Sequence, residues 1–198
     1  MVSAIVLAAG ESQRMGSQNK LLLPFKTSTV VEQVADNVLQ STASEVIVVL
    51  GHEADQIRAA LKGRPIRFAV NPEFQLGMTT SIRAGVEIAS TDTSGFMICL
   101  SDLPLITSEE FNRLIGAFEI AIAKTEKHIV VPVYSGKRGN PVIFSATFKN
   151  DILAHKGLKG CKGVIKENPD QVLEIEMASD NILKDIDTSD DYGKYRSE

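Results

Sequence analysis

The sequence predicts an α/β protein in which one mostly parallel sheet is sandwiched between helices. Three observations predict it. Short β-branched apolar runs alternate with longer stretches of helical spacing, and polar, glycine-containing segments follow several of those runs. The chain has 198 residues of which 43% are apolar, enough to bury a sizeable single core. Strand–helix alternation of this kind implies right-handed crossovers that place helices on both faces of the sheet.

The elements follow in order. Ser3 to Ala8 is apolar and β-branched, as a strand buried on both faces is. Thr29 to Ser41 carries Val30, Val31, Val34, Val38 and Leu39 at helical spacing. Glu45 to Leu50 (EVIVVL) is a second buried strand, Ala54 to Leu61 a helix and Ile66 to Val70 a third strand. Thr79 to Ala89 is helical, and Gly95 to Leu100 is a fourth strand. Ser108 to Ala123 is a long helix with Glu109 and Glu110 at the positive end of its dipole. His128 to Val133 is a strand, and Pro141 to Ser145 a short strand entering a helix. Gly157 to Gly163 reads as a Gly/Lys loop, Val172 to Met177 alternates as an edge strand does, and Ser189 to Arg196 is a terminal helix. No internal repeat, low-complexity linker or second domain is visible, so residues 1–198 read as one domain.

Composition narrows the class of function. A net charge of -4 argues against sequence-independent nucleic-acid binding, which needs a basic face, but leaves room for a local phosphate pocket. Cys99 and Cys161 are the only cysteines, are far apart, and belong to no CxxC or Cys/His cluster. Cys99 lies in the apolar run FMICL and reads as a buried thiol. The opening run VSAIVLAAG is too short to span a bilayer and has no basic residues ahead of it. The expected setting is the cytoplasm, with reduced thiols and no membrane association.

In open α/β sheets ligands bind beyond the carboxyl ends of the strands, which turns the strand reading into a list of loops. The first runs from Leu7 to Phe25 (LAAGESQRMGSQNKLLLPF). Small Ala8, Ala9 and Gly10 let a ligand approach the backbone, and Gly10 and Gly16 bracket a polar loop whose amides can line an anion site. Arg14 and Lys20 add a planar fork and a point charge suited to polyphosphate. The glycine spacing fits neither a P-loop nor a GxGxxG dinucleotide loop. The second loop, LSDLPLIT from Leu100 to Thr107, puts Asp102 directly after a buried strand, where it either holds Mg²⁺ or caps the turn around Pro104.

The third, NPEFQLGMTTSIRAG from Asn71 to Gly85, reads either as a Gly-Met-Thr-Thr-Ser turn presenting backbone groups and hydroxyls to a base edge or as a helix start whose free amides are capped by Thr79, Thr80 and Ser81. Arg83 is either a helix-face charge or a ligand contact. The fourth, SGKRGNPVIF from Ser135 to Phe144, reads as an acceptor pocket or a basic hairpin. The fifth, DIDTSDDY from Asp185 to Tyr192, places Asp187 and Thr188 before the last helix, where acidic residues need no functional explanation.

Taken together and in this order, LAAGESQRMG with Lys20, GMTTSIRAG, LSDLPLIT, GKRGNPVIF and DIDTSDD resemble the molybdenum cofactor cytidylyltransferase branch of the nucleotidyltransferases, over nearly the whole chain. The resemblance implies a glycosyltransferase-A-like, Rossmann-type architecture and Mg²⁺-dependent transfer of a nucleoside monophosphate from an NTP to a phosphorylated small-molecule acceptor, molybdopterin above others. It implies that Leu7, Ala8, Ala9, Gly10 and Gly16 wrap the nucleotide while Arg14 and Lys20 hold its triphosphate. Asp102 and Asp187 would hold Mg²⁺, and Asn71, Gly77, Met78 and Ser81 would face the nucleobase. The Ala-Ala-Gly form is more like the cytidylyl members than the guanylyl ones, which favours CTP over GTP. Transient contact with a cofactor-receiving enzyme is a further implication.

Two departures bear on the acceptor. Asn140 stands where related enzymes often carry His, and Gly157-Leu158-Lys159-Gly160-Cys161-Lys162 stands where they often carry Gly-Asp-Lys-Gly-Ala-Arg. An anionic acceptor phosphate needs no deprotonating triad, so His52, His128 and His155 are expected to be bystanders. The competing readings are a sugar- or polyol-phosphate nucleotidyltransferase and a non-catalytic protein that binds nucleotide or cofactor and delivers it.

Overall fold

The computed structural model describes residues 1–12, 19–125 and 128–196. Its elements are β1 (Val2–Ala8), β2 (Pro24–Phe25), β3 (Ser28–Thr29), α1 (Val30–Leu39), β4 (Glu45–Leu50), α2 (Ala54–Ala60), β5 (Arg67–Val70) and α3 (Met78–Ile88). Then follow β6 (Gly95–Leu100), α4 (Ser108–Ile122), β7 (Ile129–Tyr134), β8 (Lys137–Arg138), β9 (Val142–Ser145), α5 (Lys149–Ala154), α6 (Lys162–Glu167), β10 (Val172–Glu176) and α7 (Ser189–Tyr195). The main sheet runs β10-β7-β9-β6-β1-β4-β5, with β8 appended to β7. β2 and β3 form a separate small antiparallel pair.

The pairs β1–β4, β1–β6, β4–β5 and β7–β10 are parallel, as strand–helix alternation requires. β9 is inserted antiparallel between β6 and β7, so the sheet is mixed, though mostly parallel. The direction of β9 was not readable because all four of its residues are buried, and an apolar run shielded on both faces looks the same in either direction.

Period-two alternation sorts the core into two layers. Val2, Ala4, Val6 and Ala8 of β1 pack with Val34 and Val38 of α1 and with Leu114 and Phe118 of α4. Ile5 faces the other way, packing with Ile82 and Val86 of α3 and with Ile152 of α5. Cys99 is buried in the first layer and Cys161 in the second, and neither is in a disulfide. Among the described residues no helix is long and apolar enough to cross a membrane.

Two glycines explain local geometry. A Cβ on Gly85 would collide with Ile5 and sit 3.0 Å from Val49 Cγ2, so α3 rests directly on β1 and β4. Gly85→Ala is therefore expected to cost about 1–3 kcal/mol by overpacking, read as a lower urea midpoint with an unchanged slope. An unchanged midpoint would contradict this packing account. Gly163 lies inside α6, and a Cβ there would strike the His155 ring. The helix nonetheless starts at Lys162, where glycine and lysine content suggests only loop.

Candidate functional site

Strands β1 and β6 end side by side, and the segments leaving them converge on one lysine. Lys20 Nζ donates to Asp102 Oδ2 at 2.6 Å and to Asp187 Oδ1 at 2.9 Å, joining the loop after β1, the loop after β6 and the segment before α7. The Lys20 side chain is 14% exposed. Burial pulls its pKa down, but Asp102 and Asp187 outweigh that and hold the ammonium above its ordinary value. A raised folded-state pKa means that its contribution to stability is complete below about pH 10.5 and lost as pH climbs through the raised value. Wild-type urea midpoints are thus expected to fall more steeply above pH 10.5 than those of Lys20→Met, and equal slopes would contradict the ion-pair assignment.

Neighbouring turns position these groups. Asn19 accepts from Leu21 N at 3.0 Å and donates to Glu53 Oε2 at 2.8 Å, while Ser12 Oγ accepts from Lys20 N at 3.2 Å. Ile186 N donates to Asp102 O at 2.9 Å, which fixes the 185–188 segment against the loop after β6. Asp102 does not cap the following helix. Thr107 and Glu110 form the capping box of α4, and Thr188 and Asp191 form that of α7. Helix capping therefore accounts for neither Asp102 nor Asp187.

Asp102 Oδ1 is buried and has no hydrogen-bond partner among the described residues, a costly state for a carboxylate unless a cation or ligand donor meets it. Two hard carboxylates suit a hard divalent cation. No group of three or more potential metal-ligating side chains occurs among the described residues. A cation here would draw the rest of its shell from water and ligand, as Mg²⁺ does. Burial first, then Asp187 and Asp102, push the nearby Asp185 carboxyl upward.

This cluster lines a cleft of about 400 Å³. Leu7, Ala9 and Gly10 line it on the β1 side, and Gly77, Met78 and Ser81 on the α3 side. Gly77 has φ +104°, and a Cβ there would lie 2.7 Å from Leu158 O, so the turn needs glycine twice over. Ala8 does not line the cleft, because alternation along β1 turns it into the core beneath α1. Asn71 is buried behind the wall. Its Nδ2 donates to Thr80 Oγ1 at 2.9 Å and Ser81 Oγ at 3.0 Å, so it orients the turn from the rear. Arg14 and Gly16 lie outside the described residues.

The hydroxyls after Gly77 do not cap α3. Thr80 donates to the Gly77 carbonyl, Thr79 to the Gly157 carbonyl, and Gly77 itself provides no side-chain cap. Arg83 is neither a free helix-face charge nor a cleft residue; its Nη2 donates to His155 O at 2.7 Å. Thr79 and Arg83 thus pin the 155–160 segment onto α3. None of His52, His128 and His155 lines the cleft. Sequence reasoning missed Ser101, which lines it and donates to Leu7 O at 2.6 Å, and Phe74 and Gln75, which complete its rim. The position of Ser101 beside Asp102 was the available signal.

A second cavity of about 450 Å³ adjoins the cleft, sharing Met78 and Leu100 with it. Arg138, Gly139 and Asn140 of the fourth loop line it, together with Lys159, Lys162 and Lys166.

Comparison with known proteins gives a consistent picture. The MobA-like NTP transferase domain family matches residues 4–172. The chain is 28% identical over 195 residues to nicotine blue oxidoreductase of Paenarthrobacter nicotinovorans, covering 94% of this chain and 92% of that protein. It is 26% identical over 192 residues to molybdenum cofactor cytidylyltransferase of Escherichia coli (strain K12), covering 96% and 93%. The crystal structure of Rv0371c from Mycobacterium tuberculosis H37Rv superposes with a TM-score of 0.86 at 26% identity, covering 100% of this chain and 98% of that one. The same mycobacterial protein in complex with manganese superposes with a TM-score of 0.74 at 25% identity, with 100% and 98% covered.

Proposed function

The chain belongs to the MobA-like NTP transferase domain family, and from that premise we propose that it transfers CMP from CTP to a phosphorylated acceptor of the molybdopterin type. The observation that carries the proposal is the convergence of Lys20, Asp102 and Asp187 in the lining of a cleft with a second, cation-lined cavity beside it. The whole chain acts as one nucleotidyltransferase unit.

In this reading Leu7, Ala9 and Gly10 receive the nucleotide along its sugar and phosphates, and Gly77, Met78 and Ser81 face the base. Asn71 keeps Ser81 in place. Lys20 neutralises the triphosphate, joined by Arg14, and Gly16 is assigned to the nucleotide with them. Asp102 and Asp187 hold Mg²⁺, which when bound screens phosphate charge as a Lewis acid. An acceptor phosphate oxygen attacks the α-phosphorus in line, forming one P–O bond as the bond to the β-phosphate oxygen breaks. The bonding pair leaves with pyrophosphate. The attacking oxygen is already anionic, so no protein base is needed, and catalysis consists of orientation and charge neutralisation.

CTP is favoured on the Ala8-Ala9-Gly10 motif. A redox role is suggested by the name of the Paenarthrobacter relative, but an ammonium seated between two carboxylates serves phosphate and metal chemistry more directly. The test is Mg²⁺-dependent pyrophosphate release with CTP and with GTP, each with and without molybdopterin-type cofactor. Release with CTP and cofactor alone is the expected result. Equal release with GTP would overturn the base preference, and no release under any of the four conditions would overturn the acceptor.

A further inference from the structure

We infer that the acceptor carries a second anionic group, separate from the phosphate that attacks, and that Lys162 and Lys166 hold it across an apolar floor. The inference rests on the transferase reading above and names the chemistry of the acceptor more narrowly.

The second cavity has an uneven lining. Its floor is the sheet face formed by Ile98, Val131, Val142 and Phe144, closed at the side by Ile82 and Ile165. Such a surface gains by burying a flat apolar body, at about 25 cal/mol per Å² removed from water. Its charged lining is all of one sign: Arg138, Lys159, Lys162 and Lys166, with no Asp or Glu. Arg138 is already engaged, its Nε donating to Glu174 Oε1 at 2.6 Å. No carboxylate among the described residues pairs with the three lysines.

Lys162 and Lys166 stand four residues apart on α6, so their side chains share one face of the helix. A like-charge pair at that spacing destabilises a helix, and α6 has no acidic residue in its first turn to offset it. A bound anion removes that repulsion. The attacking phosphate cannot be that anion. It must lie with Lys20 and Asp102 in the cleft, on the other side of the boundary formed by Met78 and Leu100, and neither Lys162 nor Lys166 lines the cleft. Met78 closes this boundary against Gly160, where a Cβ would lie 2.9 Å from its Sδ. The acceptor therefore extends from one cavity into the other: phosphate at the reacting end, apolar body over the sheet, second anion at α6. A polyol phosphate has neither the body nor the second charge.

The test titrates the full chain with naphthalene-1-sulfonate and naphthalene-1,5-disulfonate, followed by probe fluorescence. The disulfonate is expected to bind about tenfold more tightly, equivalent to roughly 1.4 kcal/mol. In the double variant Lys162→Ala/Lys166→Ala that preference disappears while CTP affinity stays at the wild-type level, which also shows that the variant is folded. Lys162→Arg/Lys166→Arg keeps the preference. Equal affinity for the two probes in the wild type, or a preference that survives the double alanine change, overturns the inference. If the lysine-dependent preference holds but no NTP and acceptor yield pyrophosphate, the anion locus stands and the transferase reading falls.

Discussion

Asp102→Asn is expected to lower turnover about a hundredfold or more with little change in the fold. The substitution is isosteric and removes one negative charge at the point where three segments meet. Asp102 Oδ2 accepts from Lys20 at 2.6 Å, whereas Oδ1 is buried without a partner. A neutral amide holds a hard divalent cation more weakly than a carboxylate does, and it cannot neutralise the ammonium. The fold is insulated from the change because the loop is held by backbone bonds, among them Ile186 N to Asp102 O at 2.9 Å. The check is kcat at saturating CTP and acceptor, set beside a urea unfolding curve. Wild-type turnover in a folded variant would remove Asp102 from the chemistry.

Lys20→Ala is expected to have an effect of similar size by a different route. The change removes the charge proposed to neutralise phosphate and leaves Asp102 and Asp187 without the ammonium that pairs with both. Turnover should fall about a hundredfold or more, and the KM for CTP should rise because the ground-state triphosphate also loses a contact. Lys20→Arg should recover little, since a planar guanidinium does not fit between two carboxylate oxygens placed for a compact ammonium. Full activity in Lys20→Arg would show that charge alone suffices.

The legible parts of the fold were those with strong periodicity. β1, β4 and β6 are apolar runs ending in polar loops, and the rule that ligands meet carboxyl strand ends led directly to Lys20 and Asp102. Asp187 was weaker by sequence because acidic residues at a helix start are common; its distinction is three-dimensional, since 167 residues separate it from Lys20. Ala8 and Asn71 show the limit of assigning motifs without a register. One residue of alternation takes Ala8 out of the cleft, and Asn71 acts through Thr80 and Ser81. The lysines of α6 were unreadable as a pair because the glycines around them hid the helix that aligns them.

Under the proposed function, this cleft directs attack onto the α-phosphorus of a nucleoside triphosphate. The most direct measurement follows CTP labelled at its α-phosphorus in the presence of Mg²⁺ and molybdopterin-type cofactor. The label is expected to move from CTP into a product joined to the acceptor through a new phosphate linkage, with one pyrophosphate released per label transferred, and Asp102→Asn is expected to slow both about a hundredfold or more. Label that stays in CTP, or that appears only as free CMP while folded protein binds the nucleotide, would contradict it.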